Sequence, residues 1–252
     1  MLTVDRLAQI LDEMIPKEYS EPWDNDGRMV IPDGSAPVQC VTVALDATTE
    51  AIKAAAAEGS NVIVTHHPLV FEPMKSVDTA DAVGRRVAMC IRNGIAVLSY
   101  HTRLDSMPGG VNDCLAEAIG LAEAEPFLPF GRIGSLGRAV PFAAFADDIS
   151  DRLGEKPMFA VARGGDVRRI ALVSGGGKGF VRAAYDAGAD TYLTGEASHA
   201  AFIEAAELGM NMICMTHHAT ERVVLPALCD MIGDTGAQVA LFDFDRENEY
   251  GI

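Results

Sequence analysis

Basic residues, aromatic residues and paired cysteines are all scarce in this chain. Against 36 Asp and Glu stand 20 Lys and Arg, a formal net charge of −16 over 252 residues. A field of that sign repels phosphate backbones, so nucleic acid is not an expected partner. A small anionic ligand stays open, because bound divalent cations would reverse the field locally. Aromatics are 6% of the residues, which leaves small aliphatics to fill the core, as where helices pack on a parallel sheet. The five cysteines, Cys40, Cys90, Cys114, Cys214 and Cys229, include no CxxC pair. Their spacing argues against a thiolate zinc site and for reduced, buried thiols in a cytoplasmic protein. No apolar run reaches the roughly 18 residues of a membrane span. Residues 1–15 carry Asp5, Asp12 and Glu13 without a basic flank, unlike a secretory leader. Leu2, Leu7, Ile10, Leu11 and Met14 recur there at helical spacing behind Thr3, a fitting N-cap.

Histidine is present in only six copies, yet five of them gather in three short segments: Thr65-His66-His67-Pro68, His101-Thr102-Arg103-Leu104-Asp105 and Thr216-His217-His218-Ala219-Thr220-Glu221. Each segment follows an apolar run that reads as a strand. Around them strand and helix alternate. Strands are expected over 38–45, 61–65, 95–100, 158–162, 169–174, 191–193, 211–215 and 238–244. Helices are expected over 49–58, 79–93, 111–119, 180–187, 198–208 and 220–231, with Gly59 and Gly94 as stops. Such alternation predicts an α/β fold with mostly parallel sheets flanked by helices. Residues 121–141, with three prolines and three glycines and no clear period, read as the connection between two lobes, 1–120 and 121–252. Residues 59–67 and 209–218 echo one another, each ending in a histidine doublet, so the lobes are expected to be similar and to share one metal site. In parallel sheets ligands collect at the carboxyl ends of strands, where all three segments fall.

The chemistry follows from the residue types. His66 and His67 would point to opposite faces of a regular strand, so two ligands in a row call for a bend, which Pro68 supports, or for two ions. Asp105 stands four residues after His101. It can bind an ion directly or bridge two, while His101 serves as a ligand or orients one. His217 and Glu221 are also four apart, which one helical turn brings to the same face, with the cap expected near Thr220; His218 then points elsewhere, toward substrate or solvent. Counting His66, His67, Asp105, His217 and Glu221 gives five ligands, more than one catalytic zinc takes and suited to two divalent ions. Glu196, after another strand, is a candidate general base or a carboxylate complementing a helix N-terminus. His199 reads as a surface or capping residue. Residues 174–179, Ser-Gly-Gly-Gly-Lys-Gly, follow a strand and open a helix. Their amides could cradle an anion, though the run lacks the P-loop spacing.

Several stretches resemble the NIF3-like family, also called the GTP cyclohydrolase I type 2 homologs. Trp23-Asp24-Asn25 with Gly27 is similar to its WDNxG; residues 64–71 (VTHHPLVF) fit its HHPLIF; HTRLD and residues 109–116 (GGVNDCLA) fit its HTxLD and GGxNDxLA; TGEASH and HHATER fit its closing motifs. Thr216 stands where the family has glycine, and Asp26 where valine is common. The resemblance implies two similar α/β lobes without an insert domain. It also implies a dinuclear metal centre at His66, His67, Asp105, His217 and Glu221 and a homohexamer whose sites face an internal cavity. The expected function is a dinuclear-metal-dependent hydrolase acting on a nucleotide-like small molecule, with GTP cyclohydrolase-type ring hydrolysis as one form and Glu196 or His101 moving protons. The alternatives are a metal-dependent phosphoesterase and a non-catalytic metal-binding, regulatory hexamer. Histidine with carboxylate suits Zn, Fe, Mn, Co or Ni, and affinity order does not choose among them.

Overall fold

The computed structural model describes residues 1–163 and 165–243. In chain order the first elements are α1 (Val4–Met14), β1 (Gly27–Val30), β2 (Val41–Ala44), α2 (Thr49–Ala57), β3 (Val62–Thr65), α3 (Ala82–Asn93), β4 (Ala96–Ser99), α4 (Thr102–Ser106) and α5 (Val111–Ala118). There follow β5 (Ala122–Phe127), β6 (Gly131–Val140), α6 (Phe142–Leu153), β7 (Phe159–Val161), β8 (Val167–Val173), α7 (Val181–Asp186), β9 (Thr191–Thr194), α8 (His199–Glu207), β10 (Asn211–Cys214), α9 (His217–Glu221), α10 (Leu225–Gly233) and β11 (Val239–Leu241). They form two compact units, Met1–Met107 with Leu225–Ile252, and Pro108–Val224.

The first unit holds a five-stranded sheet in the order β1-β4-β3-β2-β11. All its pairings are parallel except β1 with β4. Every residue of β2, β3 and β4 is buried, as expected of short aliphatic strands covered on both faces. Ile52, Ala55, Ile63, Val87, Cys90 and Val97 pack one side of it. The Thr3 side chain accepts from the Arg6 amide and caps α1, and α3 stops at Gly94 in the left-handed region, φ 66°.

The second unit holds a six-stranded sheet, β5-β6-β8-β9-β10-β7. Here only β8–β9 and β9–β10 are parallel; the other three pairings are antiparallel. The expectation of mostly parallel sheets therefore holds for the first unit and not for the second. The reason lies in residues 121–141, which are not a bare connection but the β5–β6 hairpin. Strand β5 is exposed along most of its length and carries Pro126 at the sheet edge. An edge strand can tolerate a proline and need not alternate, so it gave no period to read.

Two further differences are local. The helix expected over 220–231 is divided into α9 and α10 by a 3-10 turn at Arg222–Val224. The last strand is β11, and Phe244, expected within it, lies outside the described residues. The units also divide at 107/108 and 224/225 rather than at residue 120. Helix α5 and its C-cap Ile119 bury Leu115, Ala116 and Ile119 among Ile149, Ile170 and Leu172 of the second unit, while β11 adds to the first sheet beside β2. Among the described residues no helix is long and apolar enough to cross a membrane.

Candidate metal centre

Two sets of donors are built, one in each unit. In the first, β3 ends at Thr65, whose hydroxyl donates to the His67 carbonyl (2.8 Å) and meets Ser99 Oγ at 2.7 Å. The His67 amide donates to Leu45 O (2.9 Å). These bonds turn the chain immediately after the strand, so the alternation of faces is broken. The His66 and His67 rings lie side by side with centroids 4.8 Å apart. His101, leaving β4 and starting α4, brings its ring within 5.3 Å of His66 and 5.7 Å of His67. One nitrogen from each of the three falls within 4.8 Å of the others. Residues 101–105 form a helical turn, and Asp105 Oδ1 stands 3.6 Å from His66 Nε2.

In the second unit, Thr216, not Thr220, caps α9 by accepting from the Ala219 amide (2.9 Å). His217 opens this helix and Glu221 closes it. Their spacing sets His217 Nε2 3.0 Å from Glu221 Oε1. The glycine-rich loop 174–179 packs beneath. The amides of Ser174, Gly175 and Gly177 donate to Asn112 Oδ1, Thr220 Oγ1 and Thr194 Oγ1, at 2.9, 3.0 and 3.0 Å. Those three amides are bonded within the fold, and through Thr220 the loop supports the ligand helix. Gly175 and Gly177 in the loop, and Gly195 outside it, are needed for closeness. A Cβ on Gly175, at φ +54°, would overlap the Glu221 carboxylate, and one on Gly195 would meet Thr220 Oγ1 at 2.5 Å.

A single device orients the imidazoles. His66 Nδ1 faces Tyr100 O (3.1 Å), His67 Nδ1 faces Asp46 Oδ1 (3.0 Å), His101 Nδ1 faces Asp24 Oδ1 (2.8 Å), His217 Nδ1 faces Glu196 Oε1 (2.9 Å) and His218 Nδ1 faces Glu155 Oε1 (3.0 Å). Carbonyls and ionised carboxylates only accept, so Nδ1 carries the proton in each ring. The neutral ring then keeps its lone pair on Nε2, the tautomer of a metal ligand oriented by an outer acceptor. Asp24 is well suited to this. Burial pushes its pKa up, but bonds from the His101 ring and from the Thr102 hydroxyl and amide outweigh that and hold it at about 2.

The donor set fits a metal on distance as well. Two donors on one tetrahedral ion with bonds of ~2.05 Å stand roughly 3.3 Å apart. The pairs His217 Nε2–Glu221 Oε1 and His66 Nε2–Asp105 Oδ1, at 3.0 and 3.6 Å, bracket that value. His199 is exposed at the start of α8, as a surface histidine should be, and His218 is held by Glu155 while Thr216 also donates to that carboxylate (2.6 Å). The sequence alone assigns Asp24, Asp46 and Glu155 no role. Asp46 follows β2 at its carboxyl end, the rule that singled out the histidines, and Asp24 lies in a recognised sequence pattern. Glu155, in the loop after α6, carried no signal.

Comparison with known proteins gives concordant likenesses. A Clostridium perfringens protein named GTP cyclohydrolase 1 type 2 homolog is 30% identical over 233 residues, covering 89% of this chain and 88% of its own length. A Pseudomonas aeruginosa protein of the same name is 33% identical over 250 residues, 96% of each chain. Among solved structures, a Bacillus cereus protein related to NIF3 superposes with a TM-score of 0.89 at 21% identity, covering 97% of this chain and 98% of that one. The model of the Duf34/NIF3 (NGG1p interacting factor 3) family matches residues 2–248, and the chain belongs to that family.

Proposed function

We propose that this protein is a dinuclear-metal-dependent hydrolase of a nucleotide-like small molecule, with ring opening of the GTP cyclohydrolase type as its reaction. His66, His67, Asp105, His217 and Glu221 are the residues that hold the two cations. The carrying observation is that Nδ1 is the nitrogen held by an acceptor on the histidines of both doublets and on His101, while Nε2 of His66 and of His217 is turned to the Asp105 and Glu221 carboxylates; a histidine buried only for packing also needs an acceptor, but not the same nitrogen in every ring. When bound, a divalent pair supplies Lewis-acid polarisation and a water acidic enough to ionise near neutral pH. The chain's own residues do the rest. Asp24 holds the His101 ring so that Nε2 can take or return a proton. Glu196 Oε1 accepts the hydrogen bond of His217 Nδ1 and is the second proton-handling group. Cytoplasmic residence and assembly into a homohexamer belong to the same reading, the latter checked by sedimentation.

The test combines metal analysis with a screen of GTP and generic phosphoesters, on the wild type and on Glu221→Gln. Two ions per chain, turnover of GTP and its loss in the variant are the expected results. Turnover that survives complete removal of the ions would overturn the hydrolase reading, and one ion per chain would overturn the pair. Turnover of phosphoesters without attack on GTP would move the reaction class to phosphoester hydrolysis. Ions bound without any turnover would leave a metal-binding protein only.

A further inference from the structure

Next to His101 the surface carries two large aromatic rings that folding leaves in water. Trp23, the chain's single tryptophan, is 60% exposed, and Phe71 is 44% exposed. They are not scattered. Their centroids are 6.3 Å apart at an interplanar angle of 67°. Each also meets the His101 ring nearly edge to face, Trp23 at 6.3 Å and 78° and Phe71 at 6.0 Å and 88°. Perpendicular rings leave π faces uncovered, whereas a stacked pair would bury them.

The backbone beneath is fixed. The Asp24 amide donates to Glu21 O (3.0 Å), and the Glu21 amide donates to Thr102 Oγ1 (3.0 Å). Thr102 in turn binds the Asp24 carboxylate through its amide (3.0 Å) and hydroxyl (2.6 Å). Asn25 Nδ2 donates to Val70 O and so ties the tryptophan segment to the one bearing Phe71. Rings carried on an anchored backbone have less freedom to lose on binding than rings on a free loop. Two such rings beside a histidine that faces candidate metal donors form a corner for something flat.

We propose that Trp23 and Phe71 are the ring-binding side of this site: a planar heteroaromatic ring, the base of a nucleotide, lies against them beside His101. The inference deepens the hydrolase reading and rests on it for the identity of the substrate. It requires only the aromatic corner for binding. Stacking on aromatic side chains tolerates every base, since each has a π face, so the corner selects for a ring and not for one base.

Because Trp23 is the sole tryptophan, its emission reports on this corner alone. The experiment titrates guanosine, adenosine and ribose 5-phosphate into the full chain, both metal-loaded and metal-free, and follows that emission. Both nucleosides should quench it saturably, and ribose 5-phosphate should not. Phe71→Ala should weaken nucleoside binding about tenfold, the lower part of the range for one stacking partner, while its circular dichroism and ion content stay as in the wild type. An emission blind to both nucleosides, or equally responsive to ribose 5-phosphate, would overturn the proposal. So would an emission that changes on dilution yet ignores nucleosides, which would assign the corner to contact with a second copy. Failure here with ions and turnover intact leaves the hydrolase reading standing. Quenching without ions or turnover fails that reading and not this one.

Discussion

Replacing Arg103 by methionine is the sharpest test of how the first unit is held together. The guanidinium is 1% exposed and the Asp26 carboxylate 0%. They form a two-pronged pair, Nε to Oδ2 at 2.9 Å and Nη2 to Oδ1 at 2.7 Å. Nη1 adds Asp12 Oδ1 (2.9 Å) and Ile15 O (2.8 Å). The methionine leaves a buried carboxylate with only Ser20 Oγ (2.6 Å) and the exposed Lys17 ammonium (3.3 Å). Removing one member of a buried pair costs about 3–5 kcal/mol, or roughly 6–20 °C in midpoint for a chain of this size. The loss should also depend on pH. Burial pushes the Asp26 pKa up, but the Arg103 and Ser20 bonds and the Arg103 and Lys17 charges hold it below the usual range. A depressed carboxyl stabilises above its unfolded value of about 3.9, and that stability drains as pH falls through the lower folded value. In Arg103→Met burial is left less opposed, so the gap between variant and wild type should shrink from pH 7 to pH 3. Urea unfolding followed by Trp23 emission, with the tryptophan three residues from Asp26, measures both. A gap under about 1 kcal/mol at pH 7, where the pair rule gives 3–5, or one independent of pH, would refute the reasoning.

Three further outcomes are expected. Glu196→Gln should weaken ion affinity about 10- to 100-fold in a chelator competition, because it slackens the acceptor on His217 Nδ1. Gly175→Ala should cost about 1–2 kcal/mol of backbone strain and displace the Glu221 carboxylate, seen as lost ion binding; Gly176→Ala, whose Cβ meets nothing within 4 Å, is the silent control. Cys90 is fully buried, and burial pushes its thiol up to about 11. Alkylation at pH 8, read by mass spectrometry, should reach it only after unfolding; rapid labelling of the native protein would contradict that burial.

The doublets, the strand ends they occupy and the i, i+4 spacing of His217 and Glu221 were legible in the sequence. Each is a local property, set by a run of aliphatic residues and the geometry of one helical turn. The capping of α1 by Thr3 and the stop at Gly94 were legible for the same reason. Tertiary structure alone decided which acceptor meets each Nδ1, since Asp24 lies 77 residues from His101 and Glu155 63 from His218. It also decided the turn after Thr65 that sets His66 beside His67, which depends on Ser99 and Leu45 from neighbouring strands. The β5–β6 hairpin and the return of β11 to the first sheet were hidden likewise. Strand partners are chosen by hydrogen bonds between distant segments, and an exposed edge strand or a three-residue strand carries too little alternation to announce its neighbour.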